Sequence, residues 1–224
     1  MLKLLRELSQ RDEFVIVTVA AFGYFIVASI WGMLTISPGA PLFSGSDLKY
    51  LLADELLVLI ALATFLHVRG WTLERIGLGP NARETLIGLG LALIVELVNR
   101  LVWVLAALTS THALEAGEIF NPVEGHIDPV ILVTTSVVNP IYEELFLCGY
   151  LLTALKDRMG PWSAINISVG IRLLCHLYQG IVGVIFIVPF GLIFSYWYVR
   201  QGRLWPLIVA HVLFDFFPLL PYAQ

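Results

Sequence analysis

The sequence predicts an all-α polytopic membrane protein of about seven transmembrane helices (seven or eight) with a cytoplasmic N-terminus, and three observations predict it. Of its 224 residues, 58% are hydrophobic and only 13% charged, whereas a soluble domain of ordinary composition carries about 25% charged residues. The mean hydropathy is +0.86, and the apolar residues gather into runs able to cross ~30 Å of hydrocarbon at 1.5 Å per residue. The Lys and Arg residues fall almost entirely in alternate connecting segments.

Composition also excludes some functions. The net charge of −4 comes from residues scattered at segment ends. No basic patch interleaved with aromatics is present, so nucleic acid is not an expected partner. The two cysteines, Cys148 and Cys175, lie in apolar runs without zinc-ligand spacing, which indicates neither a disulfide framework nor a structural zinc. No loop is long enough to fold alone, so residues 1–224 form a single integral membrane domain.

The first span is expected from Phe14 to about Leu34, after a mixed-charge lead, and it is too long for the core of a signal peptide. A loop rich in Pro, Gly and Ser, Ser37 to Asp47, leads to a second span from about Leu51 to Val68. Asp54 and Glu55 sit near its first end and read as interfacial carboxylates close to water. A polar segment with three arginines precedes the third span, Thr85 to Leu108. There Glu96 and Arg100 share a face in the order that favours an intrahelical ion pair. An acidic loop, Thr109 to Asp128, leads to the fourth span, Pro129 to about Leu155. Pro140 is expected to kink that span just before Glu143 and Glu144. The fifth, sixth and seventh spans run from Trp162 to about Tyr178, Ile181 to Val199 and Leu204 to Leu220.

With the N-terminus inside, the inner segments hold Lys3, Arg6, Arg11, Arg69, Arg75, Arg83, Lys156, Arg158, Arg200 and Arg203, and the outer segments hold only Lys49. Cytoplasmic loops carry the Lys/Arg excess, so this pattern supports seven spans and a cytoplasmic N-terminus; the expected location is the cell (cytoplasmic) membrane.

The ionisable residues within the later spans point to function. A charge near a bilayer centre costs at least ~2.5–3.5 kcal/mol on insertion scales, which makes an intramembrane acid pair a functional site by default. Glu143 and Glu144 lie on the fourth span, Arg172 and His176 on the fifth, and His211 and Asp215 on the seventh. The last two pairs are four residues apart, so each presents both members on one helical face. Counting rise per residue from the cytoplasmic ends places Glu143, His176, His211 and Asp215 roughly 12–24 Å deep, within reach of one layer. Such a cavity suits activation of a water by a carboxylate, with His and Asp stabilising a developing oxyanion, which is hydrolysis of a carbonyl compound. A metal-free site is favoured. The alternative is a divalent metal such as zinc on Glu143, His176 and His211, although no compact zinc signature is present. The same residues could also join helices by hydrogen bonds or form a proton or ion path.

The strings EELFLCGYL, CHLYQG and AHVLFDF resemble the three motifs, EExxxR, FxxxH and HxxxN or HxxxD, of the CPBP intramembrane proteases, relatives of the CAAX prenyl endopeptidase Rce1. The likeness covers about Pro140 to Phe216, within a motif-bearing core of about residues 129–220. It implies an intramembrane endopeptidase with Glu143 as general base on water, Glu144 as its support, His176 as a second water-positioning residue, and His211 with Asp215 as the oxyanion-stabilising pair. The implied partners are the lipid bilayer and a membrane-embedded or lipid-anchored protein substrate. Roles in the family extend from prenylated-protein processing to bacteriocin immunity and sorting of anchored proteins, and this sequence shows no substrate motif.

Two positions depart from the pattern: Cys148 stands where the first motif has Arg, and Arg172 where the second has Phe. Arg172 is expected to reach across from the neighbouring helix and replace the lost cation. The departure also leaves open a catalytically impaired member acting as a membrane binding, immunity or sorting scaffold. A proton-coupled transporter is a further alternative.

Overall fold

A computed structural model describes residues 7–37, 39–109 and 123–224. Most of the acidic loop expected between the third and fourth spans lies outside the described residues, as do Lys3 and Arg6. Seven long helical segments are present among the described residues: α1 (Gln10–Thr35), α2 (Gly45–Val68), α3 (Ala82–Thr109), α4 (Pro129–Met159), α5 (Pro161–Cys175), α6 (Gly180–Gln201) and α7 (Trp205–Leu219). The chain is an all-α polytopic membrane protein. Six stretches of the described residues are long and apolar enough to span a membrane, the last two, Leu177–Gln201 and Trp205–Tyr222, taking in the 3₁₀ turns that flank α6 and α7. Helix α5 has 15 residues, about 22 Å of helix, and is extended by His176 and a 3₁₀ turn at Leu177–Gln179.

Local chemistry sets the ends of these helices. Ser9 accepts a hydrogen bond from Asp12 N at 3.1 Å, so α1 starts earlier than the apolar run suggests, and Glu13 lies inside it. Ser44 and Asp47 form a reciprocal capping box on α2. Asp128 caps α4 through the Val130 and Ile131 amides, with Pro129 in the first turn, where a missing N–H costs nothing. Gly202, left-handed at φ 63, ends α6. The many exposed large side chains, among them Leu34, Leu57, Leu86 and Leu108, suit a lipid-facing surface.

The helices alternate in direction. At one end of the bundle, Arg69 and Trp71, just past α2, hold Glu13 of α1. At that end Leu204, before α7, donates to Gly77 O at 3.0 Å, and Trp162 of α5 stacks on Tyr196 of α6. A Cβ on Gly77 would lie 1.8 Å from Gly202 O, so only glycine lets the two connections approach this closely. At the opposite end, β1 (Phe43–Ser44) pairs in parallel with β2 (Val123–Glu124). There Ile127 exchanges backbone hydrogen bonds with Tyr222 and Gln224. The first and last described segments therefore lie at opposite ends of the bundle.

The core gathers around α4. This helix is α-helical over Pro129–Glu144, π-helical over Leu145–Leu152 and α-helical again over Thr153–Met159. Pro140 sits inside the first part, ahead of the Glu pair, and the departure from α geometry follows that pair. Two carbonyls of the π segment take side-chain donors from outside the helix: Leu147 O from Ser168 Oγ at 3.1 Å and Gly149 O from Tyr198 Oη at 3.3 Å. Tyr142 Oη donates to Ala21 O of α1 at 2.7 Å. Three neighbouring helices are thus tied to α4 by polar contacts inside an apolar core.

Candidate intramembrane active site

Glu143 and Glu144 are consecutive on α4, and consecutive helical residues point about 100° apart, so the two carboxylates face different neighbours. A single guanidinium spans both. Arg172 of α5 donates from Nη1 to Glu143 Oε2 at 3.0 Å and from Nη2 to Glu144 Oε1 at 2.7 Å. Its side chain is 1% exposed, and its guanidinium lies 5.0 Å from the centre of the Phe190 ring. The planar fork of arginine suits this two-carboxylate grip in a way an ammonium would not.

Glu144 is fully enclosed, and its Oε1 also lies 2.7 Å from His211 Nδ1. A carboxylate oxygen accepts, so Nδ1 carries the hydrogen there. The opposite ring nitrogen, Nε2, lies 3.5 Å from Asp215 Oδ1, one turn along α7. The His211 ring packs edge-on to Phe190 and Phe194. His176 closes α5, and its Nδ1 lies 2.7 Å from Arg172 O. A carbonyl oxygen only accepts, so Nδ1 donates and Nε2 is turned to Glu143 Oε1 at 3.7 Å. Glu143 is therefore the member of the pair with access to open space, its side chain 13% exposed against 0% for Glu144.

That space is a cavity of about 1130 Å³ whose lining includes Glu143, Arg172, His176, His211 and Asp215. Its wall runs from Leu147 in the centre of the bundle to Phe43 and Asp47 at the strand-bearing end. The structure thus brings together the Glu pair, Arg172, both histidines and Asp215 from three helices. Cys148 is fully buried beside Glu144 and Arg172. Glu96 makes the expected bond with Arg100, at 2.6 Å, and lines the same cavity.

The residues with metal-compatible geometry differ from the expected set. Ligand atoms of Glu143, Glu144 and His211 lie within 4.8 Å of one another, a group that does not include His176. The position between the two carboxylates is already taken by the Arg172 guanidinium, so a divalent cation there would face a fixed positive charge.

Sequence reasoning missed Glu55 and Asn139. Glu55 is 1% exposed, not an interfacial carboxylate near water, because its face of α2 packs on α4. Asn139 Nδ2 donates to its Oε1 at 2.6 Å, and both residues line the cavity. Leu48, Glu55 and Leu62, spaced by seven on α2, form one buried stripe in the structure.

An all-helical membrane bundle with an acid, histidine and arginine cluster opening into an internal cavity defines a class of intramembrane enzyme-like sites. Residues 126–217 match the family described as Type II CAAX prenyl endopeptidase Rce1-like, which bears out the resemblance read from the three motifs. At family level this match supports an intramembrane CAAX-type endopeptidase with a membrane-associated substrate. Neither the curated proteins nor the solved structures provide a match to the chain.

Proposed function

We propose that this protein hydrolyses a peptide bond of a membrane-embedded or lipid-anchored protein, using a water activated by Glu143 and no metal. The observation that carries the reading is the asymmetry of the Glu pair: Glu144 is sealed against Arg172 and His211, whereas Glu143 Oε1 faces the cavity and His176 Nε2. Glu143 takes a proton from water as the oxygen attacks the substrate carbonyl. The tetrahedral oxyanion is stabilised by the Nε2–H of a protonated His211, whose Nδ1–H is held by Glu144 and whose ring is oriented by Asp215. Collapse breaks the C–N bond, and the proton held on Glu143 passes to the leaving amine. His176 positions the water, and Arg172 fixes both carboxylates. Cys148 in place of the motif Arg favoured a non-catalytic scaffold, and the Arg172 grip from the neighbouring helix supports catalysis instead. A cavity of about 1130 Å³ exceeds an ordinary small-ligand pocket of about 300–1,000 Å³ and suits a segment of chain. The protein lies in the cell membrane with its basic end in the cytoplasm.

The test is cleavage of a panel of lipid-anchored peptides by protein reconstituted in nanodiscs, with and without chelator. A positioned general base contributes about 10²–10⁴ in rate, so Glu143→Gln should lose at least a hundredfold while chelator changes nothing. Full cleavage by Glu143→Gln would rule out this mechanism, and loss of cleavage with chelator would restore the metal reading.

A further inference from the structure

Glu55 is used neither by the proposed chemistry nor fully by the fold. Its Oε1 is held by Asn139, but Oε2, equally buried, has no hydrogen-bond partner among the described residues, and the side chain lines the cavity. A buried carboxylate oxygen left without a donor costs free energy that a purely structural residue would have no reason to bear. The charge around it is mainly negative, with Arg172 the one arginine in the lining among the described residues. Asp54 and Asp215 share the lining, and Arg172 is already committed to Glu143 and Glu144. A low-dielectric cleft lined mainly by one sign concentrates its field on the opposite charge.

Position adds a constraint. Asn139 precedes Glu143 by one turn of α4, so Glu55 is docked about 6 Å along the helix from the base. An extended substrate covers that distance in about two residues at ~3.3 Å each. Resting on the hydrolytic reading above, we infer that Glu55 is a specificity-determining residue. It accepts a hydrogen bond on Oε2 from a lysine or arginine side chain about two residues from the scissile bond. The long apolar stem of such a side chain can cross the cavity wall while its charged head reaches the carboxylate.

Two acyl-anchored peptides differing only in lysine or norleucine, two residues from a fluorogenic bond, test this in phosphatidylcholine nanodiscs. The zwitterionic lipid removes general attraction of the lysine to the membrane. Binding is read by anisotropy, independently of cleavage. Wild type and Glu143→Gln should bind the lysine peptide about tenfold more tightly, the scale of one hydrogen bond to a charged group. Glu55→Gln, with melting checked, should remove the preference, and Glu55→Asp should keep part of it. Equal binding of the two peptides by wild type, including no binding of either, overturns the inference, as does a preference that survives Glu55→Gln. Undiminished cleavage by Glu143→Gln would instead overturn the hydrolytic mechanism and leave the binding result standing.

Discussion

Arg172 concentrates the energetics of the site in one side chain. It is 1% exposed and bonded to two carboxylates, one of them fully enclosed. Removing one partner of such a buried pair costs about 3–5 kcal/mol, because the other charge stays buried without compensation. Arg172→Phe should therefore lower Tm sharply and abolish cleavage. Cys148→Arg alone should also impair the protein, since it forces a second guanidinium into a filled space beside Glu144 and Arg172. Cys148→Arg combined with Arg172→Phe should recover most of both properties, because it moves the cation from α5 to α4 and leaves the carboxylates paired. Tm and cleavage measured around this double-mutant cycle decide the matter, and losses that simply add would show that the two positions do not exchange roles. The participants were legible as ionisable residues inside apolar runs, because lipid makes each of them conspicuous. Glu55 was not, since its distance along α2 suggested an interface, and only packing against α4 shows that it is enclosed in the cavity wall.

The elements add a constraint that no single residue carries. His176 sits on the short turn between α5 and α6, and α1 presses on that turn: Ser29 Oγ accepts from Tyr178 N at 3.2 Å, and Gly32 faces Tyr178. A Cβ on Gly32 would lie 2.9 Å from Tyr178 Cβ, too close to a backbone-proximal atom for a flexible tip to give way. Gly32→Ala should therefore displace the turn and carry His176 from Glu143, reducing the cleavage rate at least tenfold with only a small fall in Tm. A normal rate in a well-folded Gly32→Ala protein would show that the turn tolerates displacement. The span order was legible because hydrophobic runs and polar turns follow directly from the length a bilayer demands. The π segment after Glu144 was not legible, since its cause is tertiary: Ser168 and Tyr198 reach its carbonyls from helices far along the chain. The same is true of Glu13, which appeared to belong to the polar lead. Its partners Arg69, Trp71 and Tyr150 lie 56 to 137 residues away.

At the scale of the molecule, charge and cavity divide between the two ends. Arg69, Arg75 and Arg203 lie with the connections at the end where α1 begins, while Lys49 lies at the strand-bearing end toward which the cavity runs. Cytoplasmic segments carry the Lys/Arg excess, so the basic end is cytoplasmic in the proposed orientation, and the cavity then faces the outer side. A substrate would accordingly reach Glu143 from the outer half of the bilayer, across the wall formed by Phe43 and Asp47. Single cysteines test this in a background lacking the native ones. Lys49→Cys and Arg203→Cys replace exposed residues at opposite ends, and each can be treated on intact cells with a membrane-impermeant maleimide. Lys49→Cys should label at once and Arg203→Cys only after permeabilisation. The reverse pattern would turn the cavity toward the cytoplasm and require substrates to arrive from that side, with the geometry around Glu143 unchanged.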